Sequence, residues 1–252
     1  MIITLLSDFG SFYPAQMKGV ILSRLQDKSG DKAGEVIFVD IAHDIPAQDV
    51  RAGAFALLST VKFFPKGTIH IAVVDPGVGT GRRSLVVESG GQIFTGPDNG
   101  LLIPAALSLG RPTAYEISLP VGASCTFHGR DVFAPAAALI AAGQPPASLG
   151  PRIRPVDLSF GEAKKTARGI EATIIYVDRF GNLILNLQRL PAGDVMLMGI
   201  RLKRVRTYGE GRRIEPLITL GSHGFAEIAI NQGNAGEAFG LKAQDRIELE
   251  EI

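Results

Sequence analysis

The 252-residue chain has too little cysteine for an internal disulfide: Cys125 stands alone, which suits a reducing compartment. It also has no excess of either charge. Lys plus Arg number 26 against 25 for Asp plus Glu, so no broad field draws the protein to nucleic acid or to a membrane surface. No apolar run approaches the roughly 18 residues that a bilayer span requires. Met1 leads directly into "IITLLSDFG", without the basic start, longer apolar segment and small-residue cleavage site of a secretory signal. These absences give the expectation of a soluble, cytoplasmic protein with neither nucleic-acid nor membrane partners. Hydrophobic residues, by contrast, are plentiful at 46%, enough to bury the core of one large domain or two moderate ones.

Three early segments repeat one theme. "IITLLSDFG" (Ile2 to Gly10), "EVIFVDIAHD" (Glu35 to Asp44) and "TIHIAVVDPG" (Thr68 to Gly77) each run apolar and then reach an Asp. Runs apolar on both faces are buried strands of a parallel or mixed sheet. Between them, "AQMKGVILSRLQ" and "AQDVRAGAFALLSTVKFF" space their apolar residues three and four apart, as helices do. Strand, helix, strand, helix, strand predicts an α/β sheet, whose ligands sit beyond the carboxyl ends of the strands. Asp8, Asp40 and Asp75 all fall there. Further strands at "SLVVES" and "GQIFTGP" lead to "DNG" and a helix over Leu101 to Leu109; Arg130 to Gly143 reads as another helix, closed by Gly143.

After Gly143 the pattern changes. "QPPASLGPRIRP" is a Pro/Gly-rich connection suited to a domain boundary, and "GIEATIIYVD", "NLILNL", "IRLKRVRTY", "EPLITLGS", "FAEIAIN" and "DRIELEEI" follow as short strands. Such a series makes a small barrel or sandwich. The expected organisation is an α/β N-terminal domain with a central, mostly parallel sheet over 1–150, a linker over 151–167, and a smaller all-β domain over 168–252.

Individual motifs are ambiguous. In "VVDPGVGTGRRSL", Pro76 stiffens the exit of a strand and Gly77, Gly79 and Gly81 allow tight backbone paths. The spacing is not a dinucleotide fingerprint, because Arg82 stands where the third glycine belongs, and no Lys-Ser/Thr follows to make a P-loop. A glycine turn with a surface ion pair competes with a turn that folds Arg82 back onto Asp75. "SDFG" lacks every companion motif of a kinase, so Asp8 is better read as a carboxylate that accepts hydrogen bonds from a vicinal diol such as a ribose. "TFHGRDVFAP" sets His128 between a loop and a helix start. "VDRFGNLILN" places Asp178, Phe180 and Asn182 around a turn, and "GSHGFAEIAINQGNAG" offers Ser222, His223 and Asn231.

Taken together, "SDFG…MKG", "VDPGVG…RR", "PDNG", "FHGRD", "DRFGN" and "GSHG…EIAINQGNA" occur in an order and spacing that resembles the S-adenosyl-L-methionine hydroxide adenosyltransferase family, relatives of the fluorinase and chlorinase enzymes. The resemblance covers the chain from Ile3 to near Ile252. It implies a β-barrel for the C-terminal domain and a homotrimer whose sites lie between the N-terminal domain of one subunit and the C-terminal domain of the next. It implies hydrolysis of S-adenosyl-L-methionine (SAM) to adenosine and L-methionine, with no cofactor and no metal. The family's water-activating Asp–Arg–His set matches Asp75, Arg82 and His128. Asp8 matches the ribose acid and Asn182 a residue near adenine. Asp178, Ser222 and His223 match the methionine end, and Asn231 completes the expected substrate-binding set. Halogenating relatives carry Tyr in place of Asp75, Ser in place of Gly129, and Ser-Arg in place of Ser222-His223; "YPAQMKG" also departs from the family's usual segment.

The implied chemistry is consistent. Attack at C5′ expels a neutral thioether that needs no acid, so the difficulty lies in a nucleophile whose pKa is about 15.7 in bulk water. A fixed cation beside the water favours hydroxide, with His128 accepting or relaying the proton and Asp75 orienting Arg82. Three other readings compete: a non-catalytic SAM or adenosine sensor, a metal-dependent hydrolase built on His43, Asp44, Asp75 and His128, and a halogenating relative, which Asp75 and Gly129 disfavour.

Overall fold

The computed structural model describes residues 1–10, 12–29 and 35–252. The chain divides into two compact units, Met1–Leu158 and Ser159–Ile252.

The first unit is built on β1 (Ile2–Ser7), β2 (Ile37–Ala42), β3 (Ile69–Val73), β4 (Ser84–Ser89), β5 (Gln92–Pro97), β6 (Thr113–Ile117) and β7 (Arg152–Ile153). They form one sheet in the order β2-β1-β3-β5-β4-β6-β7. β2, β1, β3 and β5 run parallel, whereas β4, β6 and β7 pair antiparallel with their neighbours. The helices are α1 (Tyr13–Ser29), α2 (Val50–Val61), α3 (Ile103–Leu109) and α4 (Ala134–Ala141). Both faces of β1 are covered, as its apolar residues on both faces require. Ile3 and Leu5 join Met17 and Ile21 of α1 and Ala136 and Ile140 of α4 in one cluster, while Leu6 lies on the side of Gly53 in α2. Asp49 caps α2 by accepting from the Ala52 N–H at 2.9 Å.

Within this sheet His70 is fully buried, stacked on Phe94, with Nδ1 2.7 Å from Thr4 Oγ1 and Nε2 2.9 Å from Gln92 Oε1. Burial holds its pKa down at about 4, with the Gln92 contact opposing. The ring is therefore neutral at pH 7.

The Arg130–Gly143 helix expected from sequence is two pieces. Gly129–Phe133 is a single π-helical turn, closed by the Ala134 N–H on the Gly129 carbonyl, and α4 continues from it. Gly143 then takes φ 92°, just past the last helical turn. The segment read from sequence as a linker is partly structured, since Arg152–Ile153 forms β7 and Lys164–Lys165 forms β8 of the second unit.

The second unit contains β8, β9 (Gly169–Val177), β10 (Leu183–Leu185), β11 (Val195–Leu197), β12 (Ile200–Arg204), β13 (Pro216–Leu220), β14 (Ala226–Ile230), α5 (Ala235–Phe239) and β15 (Arg246–Glu251). The order is β10-β14-β13-β12-β11-β15-β9, and β9 pairs back onto β10, so seven strands close a barrel with β8 attached outside the ring. Ile174, Leu183, Leu185, Val195, Leu202, Ile218, Ile228 and Leu249 fill it. Among the described residues, no helix is long and apolar enough to cross a membrane.

Candidate active site

The exit of β3 explains the Gly-rich stretch. The Val78 N–H bonds to the Asp75 carbonyl and the Thr80 N–H to the Gly77 carbonyl, folding residues 75–82 into consecutive turns. Gly79 sits at φ 75°, and a Cβ there would lie 2.2 Å from the Cys125 carbonyl oxygen, so only glycine lets this turn pack against the segment leading to His128. The turn reverses the chain and brings Arg82 back over Asp75.

Every N–H of the Arg82 guanidinium is engaged. Nε donates to both Asp75 oxygens at 3.0 Å, and Nη2 reaches Asp75 Oδ2 in a short charge-assisted contact. Nη1 donates to Ser84 Oγ at 2.8 Å and to the Arg83 carbonyl at 3.2 Å, and the remaining Nη2 hydrogen meets His128 Nδ1 at 2.7 Å. The guanidinium also lies 5.4 Å from the Phe133 ring centre. All of this is largely buried, with side-chain exposures of 11% for Arg82 and 5% for Asp75.

A guanidinium only donates, so His128 Nδ1 accepts and the imidazole proton sits on Nε2. Turning the ring over would set a C–H against Arg82. Burial and then the Arg82 charge lower the His128 pKa, against the pull of Asp75 and Asp131, which keeps the ring neutral. His128 immediately precedes the π-helical turn, a device frequently found beside functional residues.

Arg83, the second arginine of the motif, has a different task. It bonds Asp98 Oδ2 at 2.8 Å and the Arg154 carbonyl at 3.0 Å, while Asp98 Oδ1 accepts the Val156 N–H. It pins the end of the unit and stands apart from the Asp75–Arg82–His128 cluster.

Asp8 leaves β1 next to β3, where Ser7 pairs with Val73, so Asp8 and Asp75 emerge from neighbouring strand ends. Asp8 Oδ2 accepts the Gln48 N–H at 2.7 Å. Phe9 beside Asp8 and Phe127 beside His128 meet edge to face at 5.6 Å, joining the two loops. His43 contacts Ser7 Oγ through Nδ1 and Asp40 through Nε2, so both its ring nitrogens face protein groups. Among the described residues, no three His, Cys, Asp or Glu side chains converge as a metal ligand set.

In the second unit Asp178, Asn182 and Asn231 line one cavity of about 760 Å³, together with Phe180, Tyr208 and Glu237. Asp178 is held by its own turn: Oδ1 accepts the Phe180 and Asn182 N–H groups, and Oδ2 accepts Asn182 Nδ2, each at 2.9 Å. Ser222 and His223 lie in the β13–β14 turn and are not among the cavity's lining residues. His223 is connected to that lining indirectly. Its Nε2 lies 3.2 Å from the buried Glu227, whose other oxygen accepts the Tyr208 hydroxyl in a short hydrogen bond. The Phe225 N–H donates to His223 Nδ1, so both imidazole nitrogens are used within the unit. Burial first and Glu227 second raise the Tyr208 pKa.

Ser84, Tyr208 and Glu227 were not singled out from sequence. Glu227 had a readable signal, a lone acid in the otherwise apolar "FAEIAI". Ser84 had none, since a serine opening a strand is ordinary.

An α/β unit with a largely buried Asp–Arg–His cluster beyond its strand ends, followed by a closed β-barrel unit whose loops line a cavity, defines the two-domain class of the protein. The chain belongs to the SAM hydroxide adenosyltransferase family: the family's N-terminal domain matches residues 3–150 and its C-terminal domain residues 172–248. A protein of Thermus thermophilus named (R)-S-adenosyl-L-methionine hydrolase is 41% identical, the match covering 94% of each chain. One of the same name from Salinispora tropica is 38% identical over 84% of this chain and 85% of its own. The crystal structure of an uncharacterized conserved protein from Thermotoga maritima superposes with a TM-score of 0.84 at 30% identity, covering 99% of this chain and all of that one.

Proposed function

We propose that the protein hydrolyses S-adenosyl-L-methionine to adenosine and L-methionine, by attack of water on ribose C5′ with departure of the thioether. The observation that carries the proposal is the closed hydrogen-bond set of Asp75, Arg82 and His128 beside Asp8. The names of the two curated relatives agree with it.

The bonds formed by Arg82 distribute the roles. With all five N–H groups engaged, Arg82 acts as a fixed charge and a positioning residue rather than as a direct ligand of the water. His128 presents Nε2–H, a donor, to the reacting oxygen. Asp75 Oδ1 receives a single donor and keeps a lone pair, so Asp75 takes the proton. The C5′–O bond forms as the C5′–S pair passes to sulfur, neutralising the sulfonium, and the water proton moves to Asp75 and then to solvent. Arg82 holds Asp75 oriented, and its charge together with the sulfonium favours the developing hydroxide. Asp8 grips the ribose diol, and Asn182, Asp178, Asn231, Ser222 and His223 form the adenine and methionine ends. Alignment of this kind is worth roughly 7–11 kcal/mol in ideal cases.

The enzyme is cytoplasmic, uses no cofactor or metal, and assembles as a homotrimer in which the barrel unit of one subunit completes the site of a neighbour. Incubating the purified protein with SAM and resolving the products tests the reading. Adenosine and methionine, still formed after exhaustive chelation and as sole products in high chloride, support it. Intact SAM at stoichiometric protein refutes it in favour of a sensor.

A further inference from the structure

The β1–β2 edge carries a second polar chain that the proposed chemistry leaves unused. Lys18 Nζ of α1 lies 2.7 Å from Asp40 Oδ2, Asp40 Oδ1 lies 3.1 Å from His43 Nε2, and His43 Nδ1 lies 2.7 Å from Ser7 Oγ. Ser7 is buried, with 2% exposure, and is the residue before Asp8. A β-bulge makes the chain possible. Leu5 pairs with Asp40 but Leu6 with Ala42, so Ile41 is an extra residue that turns the end of β2 back toward β1.

Three bonds then join the loop after β2 to the loop after β1. They are His43 to Ser7, the Gly10 N–H to the His43 carbonyl at 3.1 Å, and the Gln48 N–H to Asp8 Oδ2 at 2.7 Å. The last is made from a strained backbone, because Gln48 has φ 66°, a left-handed conformation uncommon for a residue other than glycine. Strain of that kind persists where surrounding contacts hold it.

We propose that His43 is a positioning residue for ribose recognition: through Ser7 and its own carbonyl it fixes the Asp8 loop, so that Asp8 keeps one oxygen on Gln48 and turns the other toward the substrate hydroxyls. The assignment rests on the proposed function, in which Asp8 reads the diol. His43 touches neither substrate nor reacting atoms. Its contribution lies in selectivity for a ribose carrying both hydroxyls, and it leaves the chemical step alone.

The test compares binding of adenosine and 2′-deoxyadenosine by calorimetry, with single-turnover hydrolysis at saturating SAM measured alongside. In the wild type the missing hydroxyl weakens binding by about 10- to 100-fold, the scale of a charge-assisted hydrogen bond. In His43→Leu that ratio falls to within about threefold of unity while the single-turnover rate stays within about threefold of wild type. In His43→Asn, whose amide reaches Ser7 from the place of Nδ1, the ratio is restored. Loss of fold alone cannot give restored discrimination in one variant and selective loss in the other. If His43→Leu does not fold, Ser7→Ala removes the same bond from its other end and must show the same collapse. A folded His43→Leu or Ser7→Ala that keeps the wild-type ratio overturns the assignment. Wild-type protein that neither binds adenosine nor hydrolyses SAM overturns the proposed function, and this inference with it.

Discussion

Arg82 Nη2 donates to His128 Nδ1 at 2.7 Å, and this contact sets the imidazole tautomer. It makes Nε2 the protonated nitrogen of His128 and, on the proposed reading, leaves Asp75 to receive the water proton.

That division predicts comparable defects at all three residues. Asp75→Asn lowers the single-turnover rate by about 10²-fold or more, the scale of a lost general base, with SAM affinity nearly kept. Arg82→Lys falls as far although charge is conserved, because one ammonium cannot replace five directed N–H groups. His128→Ala also loses about 10²-fold. Wild-type rates in both Asp75→Asn and His128→Ala, by quench-flow, would falsify the assignment.

The same contact sets the acid limb of the pH profile. Protonating His128 puts a hydrogen on Nδ1 against Arg82 and breaks the cluster. Burial and then the Arg82 charge lower the His128 pKa, so kcat/KM falls as pH decreases, with a midpoint below the ordinary histidine value of about 6.5. His128→Gln, which does not titrate, lacks that limb. A midpoint above the ordinary value in wild type contradicts the geometry.

His70 predicts a stability change unconnected with catalysis. Its pKa is about 4 in the folded chain, held down mainly by burial, against about 6.5 when unfolded. Between those values the unfolded chain binds the extra proton, so unfolding free energy declines as pH falls from 6.5 toward 4 and levels below it. The full loss is on the order of 3 kcal/mol. Denaturant unfolding of the first unit's transition should show this slope in wild type and a flatter one in His70→Leu.

Assembly is open to a complementation experiment. If a neighbour's barrel unit completes each site, refolding inactive Asp75→Ala together with inactive Asn182→Ala generates some sites with neither lesion, and activity returns. Mixed oligomers verified by mass that stay inactive place each site within a single chain.

Much of the first sheet was legible because buried parallel strands carry apolar residues on both faces, as β1 and β3 do. The barrel strands were legible from β-branched runs between turns. β11 was not, since its three residues, Val195–Leu197, followed by Met198 in a left-handed turn, carry too little pattern to register. α5 escaped for the same reason, its five residues being held by Asn234 capping the Glu237 N–H. The π-helical turn left no trace, because "RDVFAPAAALIAAG" keeps its apolar character through the irregularity. In the site, the Gly-rich turn left a surface ion pair competing with Arg82 folded back onto Asp75, and three-dimensional packing alone showed that Arg82 is largely buried there with no hydrogen to spare. The Tyr208–Glu227–His223 chain spans residues 19 and 4 apart in sequence, and strand pairing brings it together.

The π-helical turn after His128 also separates two phases in one continuous segment. Each residue of an α-helix advances about 100° around the axis, so one additional residue per turn rotates whatever precedes it by that much relative to the helix that follows. Upstream of Gly129 the chain is phased to aim an imidazole at Arg82; downstream, α4 is phased to bury Ala136, Ala137 and Ile140. Substitutions that repack α4 can shift the second phase while the first stays anchored, whereas deleting one residue from Gly129–Phe133 would force both into a single phase and swing His128 off its partner with every side chain of the cluster still present.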